Sequence, residues 1–149
     1  MATVKRIVTD PTIFMAQCDD FAPEPDKYEP AADAAIYVLV KDERGIALGV
    51  WTLVPRTRIK YEVHTSLLPS LRGFRALDAA ARMSEWIWQN TPCEFLCTEV
   101  PTSNLAALWF AKAARMVQYG IEPRSYRKGG ILQDVVLLGM NRPEVEKFQ

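Results

Sequence analysis

The chain has 149 residues, 49% of them apolar and 24% charged, with 18 basic residues against 18 acidic ones. That composition fits one compact soluble domain over residues 1–149, and it excludes disordered, collagen-like and disulfide-scaffold chains. The balanced charge gives no reason to expect a nucleic acid or an anionic membrane as partner.

The longest apolar runs, 34–40 and 135–140, are far shorter than the roughly 18 residues a membrane-spanning helix needs. Three cysteines, Cys18, Cys93 and Cys97, cannot all pair within one chain, and none stands in a Cys-x-x-Cys pair. They read as free buried thiols in a reducing, cytoplasmic setting. With His64 as the one histidine, a zinc site built on several histidines is excluded, and no metal-ligand spacing occurs elsewhere. Residues 1–10 carry Lys5, Arg6 and Asp10 but no apolar stretch of signal-peptide length.

In chain order, residues 4–9 read as a short strand. Asp10 and Pro11 then open a helix as cap and first-turn residue, with Ile13, Phe14 and Cys18 on its apolar face. Residues 21–32, with Pro23, Pro25 and Pro30 among acidic side chains, read as an irregular surface loop. The apolar runs 34–41 and 46–54 flank Asp42-Glu43-Arg44-Gly45 and predict a largely buried hairpin. A third strand covers 59–68 and stops at Pro69.

The pattern then changes period. Over 76–89, Leu77, Ala80, Ala81, Ser84, Ile87 and Trp88 recur at helical spacing, and the alanines permit close packing on a sheet. A strand follows over 95–100. Thr102 or Ser103 caps a second helix carrying Leu105, Leu108, Trp109 and Lys112. Two last strands, 123–127 and 131–140, flank Lys128-Gly129-Gly130. This order predicts an α/β fold with a mixed, mostly antiparallel central sheet flanked by helices, not a doubly wound parallel one.

Chemistry concentrates between Tyr61 and Ala76. A strand runs through a turn with the pattern Arg72-Gly73-Phe74-Arg75 into a helix, whose first turn offers free N–H groups and the positive end of its dipole. Gly73 permits close backbone approach, and the arginines add forked donors. Together these are the components of a phosphate site. The same residues also read as a solvated turn with surface arginines.

The arrangement resembles the GNAT superfamily of acyl-CoA-dependent N-acetyltransferases over residues 34–140. Leu67-Leu68-Pro69 followed by Ser70-Leu71-Arg72-Gly73 matches that family's strand-end proline and its CoA-pyrophosphate turn. Pro101-Thr102-Ser103-Asn104 with Leu108-Trp109-Phe110-Ala111-Lys112 matches its asparagine-led helix, and Gly120, Gly129 and Gly130 fit its closing strands. Arg75 and Leu77 stand where the usual turn has glycines, so the chain resembles a divergent branch akin to phage-encoded GNAT-like proteins. Phe110 stands where the family often has a general-acid tyrosine.

The resemblance implies acetyl-CoA, or another short acyl-CoA, bound between splayed central strands. Its pyrophosphate would lie on Arg72, Gly73, Phe74, Arg75 and Ala76, with Asn104 and Phe110 flanking the cofactor and Asn104 near the pantetheine arm. A backbone N–H of Leu67 or Leu68 would polarise the thioester carbonyl. Glu62 stands where some members carry a catalytic glutamate, and His64, two residues on, shares its strand face. The plainer readings are a solvent-facing strand carboxylate for Glu62 and a hydrogen-bonded structural imidazole for His64.

Other residues carry structural readings. Trp51, Trp86, Trp88 and Trp109 are core or interface aromatics. Arg56, Arg58 and Lys60 alternate as on a charged edge strand that could also meet an acidic partner. Arg124, Arg127 and Lys128 keep a hairpin turn soluble, although with Tyr119 and Tyr126 they could stack on single-stranded nucleic acid. Serine-hydrolase, Walker and dinucleotide fingerprints are absent.

The implied activity is direct acetyl transfer to a primary amine on a small molecule or protein, reached past loop 21–32, with no covalent enzyme intermediate. A second reading is a catalytically weak or vestigial GNAT-like module with a binding or assembly role. A third is a plain interaction domain whose arginine turn binds nothing. A homodimer through the terminal strands is compatible with the chain.

Overall fold

A computed structural model describes residues 1–144; residues 145–149, counted in the single domain expected from sequence, lie outside the described residues. One six-stranded sheet organises the chain, in the order β1-β2-β3-β4-β6-β5. Its strands are β1 (Ile36–Lys41), β2 (Ala47–Pro55), β3 (Lys60–Leu67), β4 (Phe95–Pro101), β5 (Val117–Lys128) and β6 (Ile131–Asn141). Helices α1 (Ala2–Val8), α2 (Pro11–Gln17), α3 (Phe74–Asn90) and α4 (Leu105–Ala113) complete it. Only β3 and β4 pair in parallel, so the sheet is mixed and mostly antiparallel as its pattern predicts.

Residues 4–9 depart from expectation, forming a helix instead of a strand. Val4 and Ile7, three apart, bury on one helical face against Ala47 and Val50, together with Ile13 of α2. The β-branched residues that suggested a strand are satisfied by this tertiary contact, which overrides propensity. Asp10 caps α2 as predicted, accepting from the Thr12 N–H at 3.0 Å.

The hairpin turn is held by Asp42, whose Oδ1 accepts from Arg44 N at 2.8 Å and Ile46 N at 2.9 Å. β2 is buried almost throughout, while β1 is half-buried because it borders the sheet. On the face opposite α1 and α2 lies the main core. There Trp51, Leu53, Val63, Leu96 and Leu138 meet Ala76, Ala80, Met83, Ile87 and Trp88 of α3. Each fully buried large side chain contributes about 1.5–3 kcal/mol of transfer free energy. Met83 takes the core position expected of Ala81, which is exposed; Leu77 and Ser84 lie half-buried at the flank.

α4 is capped by Asn104, not by Thr102 or Ser103: its Oδ1 accepts from Ala107 N at 3.2 Å. β5 begins at Val117, earlier than expected: Val117, Tyr119 and Ile121 alternate as in a strand but stay exposed, because β5 borders the sheet. Register shifts at Gln118/Gly120 and Glu122/Tyr126 bend it, with Arg124 at φ 50° inside the second. That bend folds the β5–β6 turn back toward α2. Asp20 accepts the N–H groups of Gly129 at 2.7 Å and Gly130 at 2.9 Å, and Lys128 Nζ donates to Met15 O at 2.5 Å. Thus Arg127 and Lys128 do more than solubilise the turn: they help clasp it to the segment after α2.

Candidate active site

The pairing of β3 with β4 lasts only from Lys60↔Phe95 to Glu62↔Cys97. Beyond it β3 stays with β2 as far as Leu67, while β4 stays with β6 as far as Pro101. The two central strands therefore splay, and one edge of β3 loses its partner in the middle of the sheet.

Which groups face that gap follows from strand alternation. Leu68 N donates to Leu48 O at 2.9 Å and Arg56 N to Lys60 O at 2.8 Å, so even-numbered residues of this stretch bond to the β2 side. Odd-numbered Val63, Thr65 and Leu67 turn their N–H and C=O groups toward the splay. The Thr65 carbonyl is taken by the Gln17 side-chain amide. Of the two expected amides, Leu68 is thus occupied within the hairpin, and Leu67 is the one directed into the gap.

From that edge the chain passes through Leu68 and Pro69 into α3. Leu71 N closes a turn on Leu68 O at 2.9 Å, and the Leu71 side chain anchors it in the core. Gly73 adopts φ 63°, ψ −137°, a conformation essentially confined to glycine, and no side chain caps the helix. The first helical bond is Leu77 N to Gly73 O at 3.1 Å, so the preceding amides of Phe74, Arg75 and Ala76 have no helical acceptor. Arg72, Gly73, Phe74 and Arg75 are exposed, and among the described residues neither arginine joins an ion pair. A cleft of about 470 Å³ between β1, β2 and α3 includes Leu71, Phe74 and Arg75 in its wall.

Glu62 and His64 do share a face, on the α1–α2 side. Glu62 is buried, its side chain 6% exposed, between Arg56 (Nη2 to Oε2, 2.5 Å) and His64 (Nε2 to Oε1, 3.0 Å). The His64 hydrogen bond, joined by Arg56, holds its carboxyl down to about 2 against the desolvation that would raise it. A carboxylate so stabilised is a poor proton acceptor. Because a carboxylate only accepts, Nε2 of His64 is the donor, which leaves Nδ1 on a half-exposed imidazole as the atom able to take a proton. Glu62 is thus held as an ion between Arg56 and His64, while the His64 ring stays half-exposed.

Sequence reasoning missed Glu99. It lies on β4 beyond the last β3 pair, two residues from Cys97 and hence on the same face as Glu62. Desolvation, with the charges of Glu62 and Glu122, pushes its carboxyl upward. The charge pattern of β4 held a signal for it, since Glu99 is the one charged residue of that strand. Arg56 was misplaced for a related reason: it sits in the turn before β3, a central strand, so Arg56, Arg58 and Lys60 form no charged edge.

No protein-family model and no curated protein matches the sequence. Solved structures do match the fold. A spermidine N-acetyltransferase from Vibrio cholerae in complex with CoA and spermine superimposes with a TM-score of 0.68 at 16% identity, covering 92% of this chain and 83% of that one. A chimera of Vibrio cholerae SpeG and hSSAT gives 0.67 at 17% identity over 74% of this chain and 69% of its own. The chain has the GNAT acetyltransferase fold.

Within that GNAT fold the remaining expected residues are sorted by their contacts. Asn104 spends its carbonyl oxygen on the α4 cap, leaving its amide hydrogens as donors. Phe110 packs partly buried against the main core. Trp51 is buried with Nε1 donating to Thr65 Oγ1 at 3.1 Å, and Trp88 is buried too; Trp86 and Trp109 are exposed. Cys93 and Cys97 are buried thiols pushed upward by desolvation, while Cys18 is only half-buried. Among the described residues no group of His, Cys, Asp and Glu could hold a metal ion, and no helix is long and apolar enough to cross a membrane.

Proposed function

We propose that the chain is an acetyl-CoA-dependent N-acetyltransferase that moves an acetyl group, or another short acyl group, onto a primary amine by direct attack. One observation carries the reading: β3 and β4 part after Glu62 and Cys97, and the open edge of β3 leads straight into an uncapped first turn of α3 flanked by two arginines that form no ion pair among the described residues. An extended thioester with a diphosphate partway along its length fits that geometry. Support also comes from the fold shared with a spermidine N-acetyltransferase described in complex with CoA and spermine.

Acetyl-CoA supplies the thioester, and transfer forms a C–N bond as the C–S bond breaks. The amides of Phe74, Arg75 and Ala76, with the guanidinium groups of Arg72 and Arg75, hold the diphosphate. Arg75 here provides by its side chain what a further turn glycine would provide by backbone approach. The amide hydrogens of Asn104 serve the pantetheine arm. The Leu67 N–H polarises the thioester carbonyl, where a single such donor contributes about 3–4 kcal/mol to the transition state.

His64 Nδ1 removes the first proton of the incoming ammonium, while Glu62 and Arg56 keep the ring in place. The nitrogen's second proton passes to the departing sulfur, so Phe110 need not donate one. Glu99 and Glu122 make this face attractive to a cation. Three unpaired thiols suit a reducing compartment such as the cytoplasm.

A thermal-shift titration with acetyl-CoA tests the binding half. Saturable stabilisation that disappears in Arg72→Glu is expected, and its absence in the unsubstituted protein overturns the reading. Release of CoA thiol over an amine panel tests the transfer half. Stabilisation without thiol release from any amine leaves a cofactor-binding module instead.

A further inference from the structure

Gln17, the last residue of α2, reaches across to the open edge of β3. Its side-chain amide donates to the Thr65 carbonyl, and its oxygen accepts from Ser66 Oγ at 3.3 Å. That carbonyl is one of the odd-numbered groups turned toward the splay, two residues before the Leu67 N–H. Ser66 is buried, 2% exposed, whereas Gln17 itself is exposed. A solvent-facing side chain thus satisfies a buried hydroxyl and an edge carbonyl that a neighbouring strand would otherwise take.

This contact lies where amine and thioester would meet. His64 and Ser66 flank Thr65 and turn to one face of the sheet, so the Gln17 head group sits over the face that carries the imidazole. With the thioester carbonyl on the Leu67 N–H and its carrier running toward α3, an attacking nitrogen arrives from the His64 face, past Thr65. An ammonium is donor only and needs carbonyl or carboxylate oxygens around it. On the open edge, the Thr65 carbonyl is the first such oxygen before Leu67, and the Gln17 amide already occupies it.

Both flanks of Gln17 are fastened by the β5–β6 turn. Ahead of it, Lys128 Nζ donates to Met15 O at 2.5 Å and to Ala16 O at 3.3 Å. After it, Asp20 N donates to Arg127 O at 3.0 Å, and the Asp20 carboxylate accepts from Gly129 and Gly130. We propose that Gln17 is a gate: its amide holds the Thr65 carbonyl in place of the incoming ammonium, leaves it when an amine enters, and is kept shut by the β5–β6 turn. The exchange makes and breaks no covalent bond, since one N–H replaces another on the same oxygen. The inference rests on the acyl-transfer reading for where amine and thioester meet, and it makes a separate claim about Gln17.

Steady-state release of CoA thiol from acetyl-CoA reads the gate, with propylamine as a probe that carries one amine and no other polar group. Gln17→Ala should lower the propylamine KM about tenfold without lowering kcat, the factor for a gate shut about nine-tenths of the time. Lys128→Met, which leaves Gln17 and Thr65 in place, should lower that KM by a smaller factor. A KM that rises in Gln17→Ala, or a kcat lost at an unchanged unfolding temperature, means that Gln17 holds substrate and overturns the gate. An unchanged KM in both variants overturns it too. The side-chain amide signals of Gln17 in nitrogen-15-labelled protein need neither turnover nor a variant. They should shift and exchange faster with solvent when propylamine is added to the protein with acetyl-CoA. If none of the proteins releases thiol, the transferase reading falls and this signal decides: displaced by propylamine, Gln17 is still a gate to an amine-binding edge, and unmoved, it is not.

Discussion

Arg56 and Glu62 are joined across the turn between β2 and β3, guanidinium Nε to carboxylate Oε2 at 2.6 Å. The His64 hydrogen bond first, and this contact with it, offset the burial of Glu62 and hold its carboxyl below the ordinary 4.5 of its type, at about 2. A folded value below the unfolded one stabilises the protein fully above pH 4.5, and that contribution fades as pH falls toward 2. Arg56→Met should cost about 1–2 kcal/mol at pH 7, less than a fully buried pair because the arginine is half in solvent. Urea midpoints should show the gap between the two proteins narrowing on acidification; a gap independent of pH contradicts this account.

His64→Gln should lower kcat about 100-fold on the best amine and leave the acetyl-CoA KM unchanged, since general-base catalysis is worth about that factor. Glu62→Gln should do less, because it loosens the ring without removing its basic nitrogen. The discriminating measurement is the ranking of kcat across the two variants: a Glu62→Gln loss equal to or larger than that of His64→Gln contradicts this division of roles.

At the α3 turn, Gly73→Ala places a side chain at φ 63°, ψ −137° with open space around it, so the cost is backbone strain of about 1–3 kcal/mol and not a clash. The turn relaxes and its amides no longer converge. Stabilisation by acetyl-CoA should fall at least tenfold in apparent affinity, and calorimetric titration reads both effects.

Gly139 has a different constraint. A methyl group there would lie 2.4 Å from Phe95 Cζ and 3.2 Å from the Leu96 carbonyl oxygen. Phe95 cannot move away freely because its ring meets Tyr119 edge-on at 5.5 Å. Gly139→Ala should therefore destabilise by about 1–3 kcal/mol through overpacking and weaken β4–β6 pairing. Chemical denaturation with tyrosine fluorescence would detect it.

The clasp predicts a local effect. Backbone N–H groups of Gly130 and Gly129 hold the Asp20 carboxyl below its usual range, so the contact is intact near neutral pH and is lost when acid protonates it. Asp20→Asn should raise hydrogen exchange at Gly129 and Gly130 and speed proteolysis in residues 21–32 at neutral pH. At a pH low enough to protonate Asp20 the two proteins should behave alike.

Much of the architecture was readable from side-chain periodicity. Apolar runs marked β1 and β2, the alanine-spaced pattern marked α3, and Asp10-Pro11 and Asp42–Gly45 announced their turns, because these signals are local. Gly73 with its two arginines marked the turn before α3 for the same reason. The readings that failed depended on distant partners: Val4 and Ile7 are helical because β2 offers them a surface, and residues 117–122 are a strand because β6 pairs with them although their apolar side chains stay exposed.

The site divides along the same line. Identity and spacing alone put Glu62 and His64 on one face and a glycine turn with two arginines ahead of α3. That the buried Glu62 stays ionised depends also on Arg56 arriving from the preceding turn, and the position of Glu99 on their face depends on the parallel pairing of β3 with β4. Those are contacts between segments far apart along the chain. They become visible only once the sheet brings the strands side by side, and with them the gap into which the Leu67 N–H is directed.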